Sequence, residues 1–274
     1  MVLHVVLGLD IPRLKLEKLQ EKGALFHGDY KSHVNLSQIA VSESDTVMLA
    51  THGGCSNDGK HQINLYSSFN FKSGLDYTSY NLQKLKQAGD DKPVNVELFS
   101  CHAGAAINDI VHLPIGSTLI TMTSSKDSMF GKIINYLIEE SASFIDPTNP
   151  LKRYSSYLCI NADTNSIAIN TKNGARIFTS SIDDLQDFSI DGIKAWQVKQ
   201  IQNFNSFTTD SIWDLSSSLQ ANSYANPQLN MKHQIEKWCN EFDTMAFRRI
   251  LLTNAIERKD IGRAIKVLVE CHKD

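Results

Sequence analysis

The sequence predicts an α/β fold: a mostly parallel sheet flanked by helices, then a small antiparallel β appendage and a carboxyl-terminal helical region. Three observations carry this. Apolar runs of strand length alternate with helical patterns from residue 2 to 140, which is the signature of βαβ units. After Pro147 and Pro150 the pattern changes to short strands. From about Ile182 it becomes helical to the end.

The first strand is expected over residues 2–9. Ile11-Pro12 then opens a helix that Gly23 closes, since proline fits a first helical turn and glycine a helix end. Residues 24–45 are mixed. A strand follows over Thr46-Val47-Met48-Leu49-Ala50-Thr51, running out into His52-Gly53-Gly54-Cys55-Ser56-Asn57-Asp58-Gly59-Lys60. The three glycines there predict a loop that walls a site. A helix is expected from near Thr78 to Ala88, and a strand over 94–100 ending at Cys101. Another helix runs to about Val111, a strand covers 117–123, and a further helix runs from Met129 to Glu140. Tyr157–Ile160, Ser166–Ile169 and Ala175–Phe178 read as short strands, the last two joined across Lys172-Asn173-Gly174, a good hairpin turn. Helices are expected over Ile193–Phe204, Asp210–Leu219, Met231–Arg258 and Ile261–His272, the last two forming a helical hairpin about Lys259-Asp260.

Bulk properties exclude several classes. The 274 residues are 42% hydrophobic, enough for a substantial core, and carry 27 basic against 30 acidic side chains. That balance gives no field to recruit nucleic acid or an anionic membrane. No Cys/His set has zinc spacing, so no metal or cofactor is expected. The apolar amino terminus lacks a basic flank and is too short to span a bilayer, so neither signal peptide nor membrane span is expected. Cys55, Cys101, Cys159, Cys239 and Cys271 are odd in number and scattered. They read as free thiols of the cytoplasm or another reducing compartment.

Two strand ends carry the chemistry. In open α/β sheets functional groups gather beyond the carboxyl ends of strands. His52 stands at one such end and Cys101, 49 residues later, at another. That separation suits one crossover between neighbouring parallel strands. A cysteine between a strand end and a helix start favours thiolate, and an imidazole beside it supplies the base of a nucleophilic pair. The bland alternative is a pair of structural residues, because buried free cysteines usually act as small hydrophobes. Cys159, Cys239 and Cys271 receive that structural reading.

The order Thr51-His52-Gly53, then Ser100-Cys101 about fifty residues on, each after an apolar block, resembles the caspase-like (clan CD) cysteine peptidases. The likeness is closer to metacaspase-type and bacterial members than to true caspases, whose pentapeptide about the cysteine is absent. It covers residues 2–140 as topology. It implies a caspase-like peptidase domain over 1–182, a helical region over 183–274, and a cysteine endopeptidase, a hydrolase working through Cys101 and His52. By the same resemblance the backbone N–H groups of Gly53 and Cys101 form the oxyanion hole. Ser100, Ser124, Ser125 and Asp127 line the substrate site, with Asp127 facing a basic P1 side chain. The substrate is a protein or peptide, self-processing is included, and the carboxyl-terminal helices are a candidate surface for a protein partner. Delivery into a host cell, as a bacterial effector or toxin, is a further implication.

Rival readings share some of these residues. A catalytically inactive caspase-fold binding module would leave function to the helices. A thiol acyltransferase or deamidase would use the same pair. Gly54-Cys55-Ser56-Asn57-Asp58-Gly59-Lys60-His61 nearly spells a phosphate-binding loop, but His61 stands where the magnesium-binding hydroxyl belongs. His52-Gly53-Gly54 also suits an esterase oxyanion loop, yet no Gly-x-Ser-x-Gly elbow exists in the chain.

Overall fold

The computed structural model describes residues 2–8, 23–27, 36–42, 45–64, 92–123, 165–180, 182–215 and 244–273, with Glu17, Gln20 and Glu21 besides. The helices expected over 78–88 and 129–140 and the strand at Tyr157–Ile160 lie outside them. The α/β architecture is present: among the described residues an eight-stranded mixed sheet, mostly parallel, with helices against it and a helical carboxyl-terminal region. The strands are β1 (Leu3–Gly8), β2 (Leu25–His27), β3 (Thr46–Cys55), β4 (His61–Asn64), β5 (Asn95–Phe99), β6 (Thr118–Thr121), β7 (Asn165–Thr171) and β8 (Gly174–Ser180).

Their order is β2-β1-β3-β5-β6-β7-β8, with β4 paired to the end of β3. The first five on this path run parallel; β7 and β8 are antiparallel. The antiparallel hairpin is hydrogen-bonded onto β6, so the small appendage continues the same sheet. Its turn depends on Gly174 at φ 107°, a conformation that only glycine adopts without strain.

The sequence makes β3 and β5 the centre. Val47, Met48, Leu49 and Ala50 are consecutive and all inaccessible, as are Val96, Leu98 and Phe99. Alternate side chains face opposite sides of a sheet. A continuous apolar run is therefore what a strand covered on both faces requires. On one face Val47, Leu49, Val96, Leu98 and Leu119 form a core with Ala103, Ala106 and Ile110. Each large aliphatic side chain buried there contributes about 1.5–3 kcal/mol.

Those last three residues belong to the helix that follows Cys101. It spans Ala103–His112 and is wound as a 3-10 helix. Its three-residue winding keeps Ala103 and Ala106 on one line against the sheet.

The carboxyl-terminal region holds α1 (Ile190–Leu215), α2 (Thr244–Glu257) and α3 (Ile261–Cys271). One helix thus covers most of what the sequence divides into two. A second core joins Ile182, Leu185, Phe188, Ile193, Trp196, Phe247, Leu251 and Val267. Buried Arg248 donates from Nε to the Phe188 carbonyl, and exposed Asp183 binds both Arg258 and Arg263. The α2–α3 turn is the expected helical hairpin, with the Asp260 side chain accepting the Arg263 N–H at the start of α3. Phe178 of β8 packs against Phe204 and Phe207 of α1, ring centroids 5.6 and 5.4 Å away, which joins the helices to the sheet edge. Among the described residues no helix is long and apolar enough to cross a membrane.

Candidate active site

β3 and β5 are direct parallel neighbours, paired from Thr46↔Asn95 to Ala50↔Phe99. His52 lies two residues beyond the last pair on one strand, and Cys101 two residues beyond it on the other. The structure thus brings both to the same end of the sheet, from adjacent strands, and both are half-buried. The two backbones run close together at Gly53: a Cβ placed there would lie 2.2 Å from the Cys101 carbonyl oxygen and 2.9 Å from Ser100 Cβ. No larger residue fits there.

The segment after Thr51 departs from expectation. His52-Gly53-Gly54-Cys55 is not a loop; it prolongs β3 and pairs antiparallel with β4, His52 opposite Asn64 and Cys55 opposite His61. Glycines read as loop because they lack strand propensity. Here they are needed for close approach to the neighbouring backbone. Ser56 to Lys60 form the tight turn, with the Ser56 N–H on the Lys60 carbonyl and Gly59 at φ 80°. Side-chain hydrogen bonds from Ser56 and Lys60 hold exposed Asp58 down at about 2. The near phosphate-loop motif is therefore a β-hairpin, whereas a phosphate-binding loop opens a helix. Cys55 is the exposed last residue of β3.

Beyond Cys101 the chain turns sharply. His102 takes a left-handed conformation (φ 59°, ψ 19°), which a non-glycine residue adopts at a cost of about 1–3 kcal/mol. Thr123, fully buried just past β6, braces this turn. Its hydroxyl donates to the Ser100 carbonyl (2.8 Å) and accepts the Ala103 N–H (2.9 Å). The first helical N–H is thus engaged by Thr123, so the dipole at this short 3-10 helix contributes less to a Cys101 thiolate than an open α-helix start would.

A second imidazole completes the cluster. His61 is buried, with Nε2 3.1 Å from the Cys101 carbonyl oxygen and 3.0 Å from Ser100 Oγ. A carbonyl only accepts, so the first bond requires hydrogen on Nε2. Burial, slightly offset by that bond, pushes His61 down to about 4, so the ring is neutral at pH 7. Burial also lowers His52 from its ordinary value. A neutral half-buried imidazole can accept a proton from a thiol and return it to a leaving group.

Ser100 needs correcting. Its side chain is fully buried and bonds to His61, so it supports the turn instead of lining a substrate groove. Ser124, Ser125 and Asp127 lie outside the described residues. Sequence reasoning missed His61 and Thr123: each is one polar residue among others at a strand end, and its role depends on which strand folds beside it. Among the described residues no group of three or more His, Cys, Asp or Glu side chains could hold a metal.

Comparisons of the chain with family models, curated proteins and solved structures give no match.

Proposed function

We propose that the chain is a caspase-like cysteine endopeptidase in which Cys101 is the nucleophile and His52 its acid–base partner. One observation carries this reading: the two residues extend adjacent, paired parallel strands by the same number of positions. If register and alternation continue through those two positions, the side chains stand at one level on one side of the sheet. His52, whose pKa burial lowers from its ordinary value, takes the thiol proton. The sulfur attacks the peptide carbonyl, and His52 returns the proton to the departing amine. Water then cleaves the thioester and releases the acid. The N–H groups of Gly53 and Cys101 are the proposed oxyanion donors, each of a kind that lowers the barrier by about 3–4 kcal/mol.

The proposed peptidase domain spans 1–182, with the helical region over 183–274 presenting substrate or binding a protein partner. Asp127 is the proposed acceptor of a basic P1 side chain.

The test is cleavage of fluorogenic peptides with Arg, Lys, Asp or Leu at P1, with self-cleavage read by intact mass. Cys101→Ala should lower kcat by at least about 1000-fold, and His52→Ala nearly as much. Full activity in folded Cys101→Ala would end the proposal. Gain of one mass unit by an amide substrate without chain cleavage would reassign the pair to deamidation.

A further inference from the structure

We propose that His61 is a positioning residue that sets the Cys101 backbone through its Nε2–H, a role made possible by the missing side chain at Gly53. This inference rests on Cys101 being the nucleophile, and it deepens that reading.

The geometry is specific. β4 folds back on β3 through the 56–60 turn and sets His61 opposite Cys55, at the far end of the hairpin from the sheet's core. From there the ring reaches sideways to β5, where Nε2 contacts the Ser100 hydroxyl and the Cys101 carbonyl. A Cβ at Gly53 would lie 3.0 Å from that same Nε2 and 2.2 Å from the carbonyl oxygen. One missing side chain therefore admits both partners. With Thr123 on the Ser100 carbonyl and the Ala103 N–H, the peptide units on either side of Cys101 are each held by a buried side chain from another strand or strand end.

The turn needs such holding. His102 sits in a left-handed conformation immediately after the cysteine, and such backbone persists only where the surroundings impose it. The imidazole is suited to the task because it stays neutral in its buried position and offers a fixed N–H. His61 bonds to the Cys101 carbonyl and to Ser100 Oγ. Its effect would reach the chemistry through the orientation of the Cys101 side chain toward His52, and an ångström of misplacement at such a group costs up to about 100-fold in rate.

The experiment uses the whole chain and three variants. His61→Gln can place an amide N–H near the original Nε2; His61→Asn is polar but too short; His61→Leu fills the volume without a donor. Alkylation of Cys101 by iodoacetamide, followed by peptide mass spectrometry from pH 5 to 9, needs no substrate. Cys55, exposed on β3, is the internal reference. Peptide cleavage supplies kcat and KM separately. The expected result is a loss of about 10- to 100-fold in kcat and in Cys101 alkylation at pH 7 for Asn and Leu, near-unchanged KM, and substantial rescue by Gln. If the Leu variant does not fold, the Gln–Asn pair decides. Gln and Asn variants that fold and react alike would overturn the role of His61. A wild-type Cys101 that labels no faster than Cys55 would instead sink the nucleophile reading itself.

Discussion

The two ends of the sheet use buried histidines in opposite ways. At the amino end, Asp45 accepts the Val2 and Ser42 N–H groups and lies 3.4 Å from His4 Nε2, while His4 Nδ1 meets His27 Nε2 at 3.0 Å. The His4 and His27 rings stack 5.2 Å apart, and burial followed by the neighbouring His4 lowers His27 from its ordinary value. That network is anchored on a carboxylate and ties β1, β2 and the start of β3 together. At the carboxyl end, His61 holds a main-chain carbonyl and a hydroxyl, and His52 stands half-buried beside the end of β5. Histidines locked to a buried carboxylate give a sheet its stability. At the carboxyl end the imidazoles serve the turn about Cys101, and under the proposed function its chemistry.

Breaking the amino end should cost stability and leave the thiol alone. Asp45→Asn removes the charge that gathers two backbone donors and His4, and should lower unfolding free energy by about 3 kcal/mol. Urea denaturation measures it, and Cys101 alkylation should be unchanged while the protein is folded. Breaking the carboxyl end should do the reverse. Gly53→Ala drives a methyl into the Cys101 carbonyl and should cut peptide cleavage by about 100-fold, with a smaller stability loss of about 1–3 kcal/mol from overpacking.

Acid sharpens the comparison further. Folded His61 titrates at about 4 against an ordinary 6.5, so the unfolded state binds more protons between those values. Stability is therefore full above pH 6.5 and falls as pH drops toward 4. From pH 7 to 5 His61 alone should account for about 2 kcal/mol. His61→Gln should flatten the slope of stability against pH by about two thirds of a proton on average over that window, as read by denaturation at fixed pH steps.

Much of the fold was legible because long apolar runs leave few choices. The blocks 46–51 and 94–100 read as strands, and both proved to be buried throughout. The end of β3 was not legible, because Gly53-Gly54 carry loop propensity and their use in close approach depends on β5, more than forty residues away. The 3-10 winding of 103–112 was hidden for a similar reason: alanines that fit either helix take the one that suits the sheet beneath them. At the site, His52 and Cys101 stood out through their place at strand ends. His61 did not, since its partners lie about forty residues later and meet it only once the hairpin folds back. Ser100 was identified as a substrate-site residue, but its buried side chain bonds to His61, a partner that only the folded hairpin supplies.

The central claim is that Cys101 is a nucleophile activated by its neighbour His52. The most direct test is capture by a peptidyl acyloxymethyl ketone, which is displaced by an activated thiolate and leaves a covalent adduct located by mass spectrometry. A single adduct on Cys101 is expected, formed at least about 100-fold more slowly in His52→Ala. Labelling of Cys55 or Cys271 at a rate equal to Cys101, or labelling of Cys101 indifferent to His52, would contradict it.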